Sequence, residues 1–185
     1  MHNNFRYRQF QIGVASQATG VSAKTITNWL DRGLIVGGEN IIGVGGPGHR
    51  RLFSFGNIIE IGIGGAIIDA GAGSAADALK AANRFAHVGW DAGEVNPERA
   101  VGLPFAERDG TTYIVVAGGN SAILPANPHL DVAEASRRLG DADGFITVNA
   151  SAVFERVTAS LQYITGDNAF HPLAIYEAAY SGNRG

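Results

Sequence analysis

The apolar positions near the start of the chain follow a helical period that one short turn interrupts. Ile12 and Ala15 fit one face of a first short helix, and Thr19-Gly20-Val21 then breaks the pattern with a residue that turns easily. Ser22 suits a helix N-cap, because its hydroxyl can accept from backbone N–H groups that the first helical turn leaves unpaired. The pattern predicts a short helix, a turn and a second helix.

The second predicted helix, residues 23–32, has one apolar and one polar face. Ile26, Trp29 and Leu30 fall at i, i+3 and i+4, and Gly33 ends the helix. Two short helices joined by a Gly-containing turn form a helix-turn-helix, whose second helix enters the DNA major groove. Side chains at its N-cap and on its polar face are expected to bind phosphates or base edges, and these are Ser22, Lys24, Thr25, Thr27, Asn28 and Arg32.

Residues 36–53 are predicted to form a β-hairpin. Residues 41–44 and 49–53 have strand character, and Gly-Gly-Pro-Gly at 45–48 supplies the turn. The returning strand begins with His49, Arg50 and Arg51. A basic hairpin after a DNA-reading helix is typical of a wing, so these three residues are expected to hold the backbone beside the groove.

This order of helix, turn, helix and wing resembles the MerR family of winged-helix transcription regulators. The motifs that carry the resemblance are T-G-V-S at 19–22, T-I-T-N-W at 25–29, R-G-L-I at 32–35 and R-R-L-F-S at 50–54. They cover the N-terminal DNA-binding part of the chain, up to about residue 85. The resemblance implies a homodimer that binds a near-palindromic operator and distorts promoter DNA. It also implies that Arg51 grips the DNA backbone and that Phe53 packs beneath the wing.

Two features depart from that family. Its members usually carry Arg-Tyr-Tyr where this chain has Thr27-Asn28-Trp29. Trp29 keeps an aromatic core role, whereas Thr27 removes a positive charge expected to touch DNA. The long antiparallel coiled coil through which family members pair is not evident here.

The charge is divided unevenly along the chain. Residues 1–56 hold six Lys or Arg against two acids, whereas the remainder holds eight against fifteen, so the net −3 splits into +4 and −7. Phosphate attraction depends on the local field and not on the total. A basic module attached to an acidic one is therefore compatible with DNA binding. The first eleven residues are expected to be a mobile arm, in which Arg6 and Arg8 either add loose phosphate contacts or simply fray.

An apolar run after the wing predicts a third helix, residues 55–69, capped by Ser54 and burying several isoleucines. Its glycines lower helix stability by ~1 kcal/mol each relative to alanine, so either packing compensates for this loss or helices cross closely there. Ser74 is expected to cap a fourth helix that ends near residue 86. Gly71, Gly73 and Ala76 match a dinucleotide-binding fingerprint, but that fingerprint requires a preceding strand.

The second half predicts a different module. Residues 89–110 are polar, contain two prolines and are expected to link a DNA-binding domain, 1–88, to an α/β domain, 111–185. Strands are predicted at 111–117 and 145–148 with a helix at 131–139 between them, which makes the whole chain α+β. The helix predicted at 151–165 carries an apolar stripe that is either core or a dimer seam, and its residues are Val153, Val157, Leu161 and Ile164.

Several kinds of chemistry are excluded or unsupported. The absence of cysteine excludes disulfides, thiolate metal sites and the cysteine-based sensing of several MerR relatives. The five histidines lack metal-ligand spacing, and Asp141 and Asp143 suit a solvated turn. We expect no metal, no other cofactor and no enzymatic activity. The N-terminus lacks an apolar signal core, and the longest apolar run, 58–68, is short and contains Glu60, so a cytoplasmic, nucleoid-associated protein without a membrane partner is expected.

The leading hypothesis is a sequence-specific double-stranded DNA-binding transcription regulator. Its 111–185 domain is expected to serve homodimerisation or the sensing of a small-molecule or protein effector. An effector pocket is hypothesised from four aromatic residues, Trp90, Phe105, Tyr113 and Tyr163. The alternative is a phage-type excision, packaging or architectural factor with the same winged helix. A small enzyme or nucleotide binder is a third hypothesis, which a helix at 58–68 would exclude.

Overall fold

A computed structural model describes residues 5–36, 51–91 and 97–180 as a mixed α and β structure. The N-terminal elements are a 3-10 turn, Phe5–Tyr7, strand β1, Gln9–Gln11, and helices α1, Ile12–Thr19, and α2, Ala23–Asp31. Both helices lie where the apolar period predicts them. Gly33, with φ of 65°, follows α2, and the Leu34 N–H donates to the Trp29 carbonyl at the end of the helix.

Strand β1 pairs antiparallel with β2, Leu52–Ser54, so that Phe10 lies opposite Phe53. Phe5, Phe10 and Phe53 are all buried, which makes the expected mobile arm wrong for residues 5–11. The physical reason is that two aromatic side chains drive this segment into the core. Most of the hairpin predicted for 36–53, including His49 and Arg50, lies outside the described residues, which include only Val36 and residues 51–53 of that range.

Helix α3, Phe55–Asp69, begins as predicted at Ser54, which forms a capping box with Asn57. It is buried on nearly every side, and three of its glycines allow neighbouring elements to approach closely. A Cβ on Gly62 would lie 2.9 Å from Val157, one on Gly64 3.0 Å from Leu79, and one on Gly65 2.7 Å from Val21. The close crossing of helices, one of the two expected alternatives, is therefore confirmed, and it explains why a glycine-rich helix is stable here.

Helix α4, Ala75–His87, packs against α3 and begins at Ser74 as predicted. Its C-terminal end is held by Arg99, which is 1% exposed. The guanidinium donates to the carbonyls of Phe85, at 3.0 Å, Leu103, at 2.9 Å, and Val88. It also lies over the rings of Phe85 and Trp90, with its carbon 4.9 and 4.5 Å from the two ring centres. Burial lowers the pKa of Arg99 to about 10.

The described part of the expected linker is packed rather than exposed. Leu103 and Phe105 are fully buried, and Phe105 meets Trp90 edge to face with ring centres 5.8 Å apart. The Tyr180 hydroxyl accepts from the Ala100 N–H and donates to the Pro104 carbonyl. The polar composition of this segment predicted a linker, because it gave no indication that Leu103 and Phe105 are buried or that Tyr180 bonds to the backbone here.

A three-stranded antiparallel sheet has the order β4-β3-β5, with β3 at Thr111–Ala117, β4 at Asn120–Ala126 and β5 at Ile146–Asn149. Side chains alternate between its faces. On one face, Ile114 joins the large core of the α-helices; on the other, Val115 packs on α5, Val132–Arg138. Strands at 111–117 and near 145–148 were predicted, as was the helix between them, but β4 was missed.

The C-terminal helices are α6, Ala150–Thr165, and α7, Pro172–Tyr180. Helix α6 packs on α1 and α3, and one continuous core includes residues from Phe5 to Ile175. The predicted division into 1–88 and 111–185 therefore does not correspond to two separate cores. Val157 and Leu161 are fully buried inside the chain, so the apolar stripe of this helix is core and not a dimer seam. Within the described residues, no helix has the length and apolar character needed to cross a membrane.

Candidate nucleic-acid interface

Helix α2 has the two faces that its sequence predicts. Ile26 is 0% and Trp29 4% exposed, and both pack into the core. On the other side, Lys24, Asn28 and Arg32 are exposed, whereas Thr25 and Thr27 are half-buried at its edges. The exposed residues repeat every fourth position, so they form one polar stripe along the helix. This stripe offers two cations and an amide to a partner.

Two of the predicted site residues also build the start of α2. The Ser22 hydroxyl oxygen accepts from the Thr25 N–H at 3.1 Å, and the two side-chain hydroxyls are 2.8 Å apart. Ser22 is therefore the N-cap that the sequence suggests. The cap fixes the first turn of α2, next to Lys24.

The turn before α2 is held by contacts from distant parts of the chain. Gly20 has φ of 78°, and the Thr19 hydroxyl donates to the Ala15 carbonyl and accepts from the Val21 N–H. Val21 lies against Gly65 of α3. Arg156 of α6 donates from Nη1 to the Thr19 carbonyl at 3.2 Å. The angle between α1 and α2 is thus set by α3 and α6 together with the turn itself.

Arg51 is brought to the C-terminal end of α2. Its Nη2 lies 3.2 Å from Oδ1 of Asp31, the last residue of the helix, and the Asp31 side chain is 60% exposed. Strand β2 positions Arg51, because Leu52 immediately after it pairs with β1. Arg51 and the exposed stripe of α2 are therefore neighbours, but Arg51 is paired with a carboxylate.

A buried polar network, which the sequence did not predict, holds Val36, the first residue of the predicted wing. Glu60 of α3 is 0% exposed; its Oε1 accepts from the Val36 N–H at 3.1 Å, and its Oε2 lies 2.9 Å from Nε2 of His87. The Asn57 amide donates to the Val36 carbonyl at 3.0 Å. Both backbone groups of Val36 are thus bonded to α3. The available signal was a lone acid inside an apolar run, since a buried polar group requires hydrogen-bond partners.

The structure also bears on the predicted effector pocket, dinucleotide fingerprint and metal sites. The four aromatic residues proposed for an effector pocket do not all come together, because Trp90 and Phe105 are in contact whereas Tyr163 is 92% exposed. A helix, α3, and not a strand, precedes Gly71, so the dinucleotide fingerprint lacks the context that it requires. Among the described residues, no group of three or more His, Asp or Glu is arranged to hold a metal ion.

No model of a known protein family matches the chain. No curated protein matches it in sequence either. The resemblance to MerR regulators therefore rests on the quoted motifs alone.

Proposed function

We propose that the protein is a sequence-specific double-stranded DNA-binding transcription regulator with an N-terminal winged helix-turn-helix. The observation that carries this proposal is the exposed stripe Lys24, Asn28 and Arg32 on a short helix whose opposite face is buried. A helix of this size fits the major groove, where an amide and cations can contact base edges and phosphates. Asn28 is the residue assigned to base reading, since an asparagine side chain can bond adenine at two points.

The pairing of Arg51 with Asp31 gives the proposal a second line of support. In the proposed complex, Arg51, beside the C-terminal end of α2, contacts a phosphate flanking the groove. In the protein alone, Asp31 neutralises it at 3.2 Å. DNA binding would require the guanidinium to exchange the carboxylate for a phosphate, so Asp31 competes with DNA.

The test is fluorescence anisotropy on a duplex from the protein's own upstream region and on a scrambled duplex, with salt varied over ~50 to 200 mM. Arg51→Ala should weaken binding and flatten the salt slope by about one unit. Asp31→Asn should strengthen binding, because it frees Arg51. Asn28→Ala should reduce the preference for the specific duplex at a cost of about 1–3 kcal/mol.

Arg108→Ala is the matched control, since Arg108 is an exposed arginine of the Glu107–Asp109 turn, remote in sequence from α2. It should leave both affinity and slope unchanged. Equal affinity for both duplexes would indicate the architectural alternative or an operator outside the upstream region. Absence of binding at ~50 mM salt would refute DNA binding itself, because phosphate contacts are strongest at low salt.

A further inference from the structure

An open groove of about 790 Å³ lies between α4, the start of β4 and the end of α5. It contains no residue of α1 or α2, so it is separate from the candidate DNA interface. The charged side chains that line it are Lys80, Arg84, Arg137 and Arg138. No Asp or Glu is among the described residues that line it. Four of the 14 Lys and Arg of the chain thus line one groove in its acidic part.

The wall formed by α4 carries cations without carboxylate partners. Lys80 and Arg84 are one helical turn apart and exposed on the same side of α4. Neither lies within ion-pair distance of a carboxylate among residues 5–36, 51–91 and 97–180. Arg84 is anchored by its Nη1, which donates to the Ser121 carbonyl at 3.1 Å. The Asn83 amide nitrogen is buried and has no acceptor among the described residues, so the donors that face the groove are those of Lys80 and Arg84. This wall therefore presents donors to a ligand.

The opposite wall is positioned by one carboxylate. Glu134 accepts from Arg137 Nη2 and from Arg138 Nε, both at 2.7 Å, which holds the two guanidinium groups side by side. The hydrogen bonds from these arginines lower the pKa of Glu134. Asp77, near Gly119, and Asp131 and Asp141, whose charges act on Arg137, are other acids close to the groove. None of them is among the described residues that line it, so the charged side chains that face the groove are the four cations.

We propose that this groove binds a small soluble ligand carrying two or more phosphate groups. Each wall presents two cationic side chains to the groove, which match two anionic groups, and the planar guanidinium forms paired hydrogen bonds with phosphate oxygens. The volume lies within the range of small-molecule sites. Val88 and Leu139 are its main apolar lining, and no aromatic ring is among the described residues that line it, so recognition rests on the phosphates. This binding does not depend on the proposed DNA-binding activity.

Inorganic tripolyphosphate is the probe, titrated into the full chain by isothermal calorimetry at ~100 mM salt. We expect saturable binding to one site. Lys80→Gln should weaken it roughly ten-fold, because a charge-assisted contact is lost without disturbing any described contact of the fold. Arg137→Gln should weaken it similarly. Arg108→Gln, which removes an exposed arginine outside the groove, should have no effect.

Duplex DNA distinguishes a nucleic-acid backbone from a small ligand as the source of phosphate. If tripolyphosphate fails to saturate, or if Lys80→Gln and Arg137→Gln bind it as the parent does, the proposal is overturned. It is also overturned if these two variants weaken duplex binding while tripolyphosphate does not bind, since the groove would then contact DNA. A parent-like thermal unfolding midpoint for Lys80→Gln verifies that the variant is folded.

Discussion

The contact between Gly62 of α3 and Val157 of α6 can be used to test whether the N-terminal and C-terminal parts of the chain share one core. An added Cβ on Gly62 would lie 2.9 Å from Val157 Cγ2 and 3.7 Å from Thr19 Cγ2. Three helices, α1, α3 and α6, therefore meet at this glycine. Gly62→Ala should perturb the N-terminal and C-terminal parts together.

The magnitude follows from two opposing effects. Overpacking a tight core costs about 1–3 kcal/mol, whereas alanine favours a helix over glycine by ~1 kcal/mol. Gly62→Ala should therefore lower the free energy of unfolding by about 1 kcal/mol. Val157 is 0% exposed, so Val157→Ala should cost about 2 kcal/mol by leaving a cavity.

The double variant separates a steric clash from independent defects. The methyl group added at position 62 fills part of the space that the Val157 methyls vacate, so the two losses should not add. We expect the double variant to be more stable than the sum of the single effects by about 1–2 kcal/mol. Urea unfolding at about 25 °C, followed by circular dichroism and by the fluorescence of Trp29 and Trp90, measures each free energy.

Gly13→Ala is the matched control, because Gly13 lies in α1 and an added Cβ would meet nothing within 4 Å. It should be neutral or stabilising by up to ~1 kcal/mol, and it should not couple to Val157→Ala. Additivity of Gly62→Ala and Val157→Ala within about 0.5 kcal/mol would refute the contact. Two separate unfolding transitions, one for each tryptophan, would refute the shared core.

Arg99→Leu should lower the free energy of unfolding by about 3 kcal/mol, because it leaves buried carbonyls at the end of α4 without donors. Urea unfolding with Arg108→Leu as the exposed control measures the loss, and a loss below ~1 kcal/mol would contradict the role given to Arg99. Burial, reinforced by the charge of Glu155, raises the pKa of Tyr176 above its ordinary value. The neutral phenol is thus favoured in the fold, so stability is present below about pH 10 and falls as the pH rises beyond it. Tyr176→Phe should show a shallower alkaline loss, and identical pH profiles would contradict this.

Local signals were sufficient for much of the helical structure. Ser22, Ser54 and Ser74 mark helix starts, and Gly33 and Gly166 mark helix ends, because capping depends on residues adjacent in sequence. Strand β4 was missed although the Gly118-Gly119 turn signals a hairpin. Pro125 weakened the strand pattern, yet β4 is an edge strand, where proline is tolerated.

Long-range partners were beyond the sequence. The pairing of β1 with β2 brings Phe10 opposite Phe53, which is far away along the chain. The sequence of neither segment indicates which strand it pairs with. At the candidate interface, the helical period identified the exposed and buried faces of α2. The partner of Arg51 and the bonds from Glu60 to Val36 and His87 depend on tertiary packing, which the order of residues does not reveal.

Helix α6 helps to position α2, the helix that we propose reads DNA. Arg156 of α6 donates to the last carbonyl of α1, and Val157, the next residue, lies against Gly62 of α3. Gly65 lies about one turn after Gly62 on α3, and it contacts Val21 of the turn before α2. A displacement of α6 would therefore act on both sides of the turn that orients α2. One side is reached through the hydrogen bond from Arg156, and the other through side-chain contacts that are too closely packed to accommodate the movement. The free energy that orients the polar stripe of α2 includes contributions from the C-terminal part of the chain.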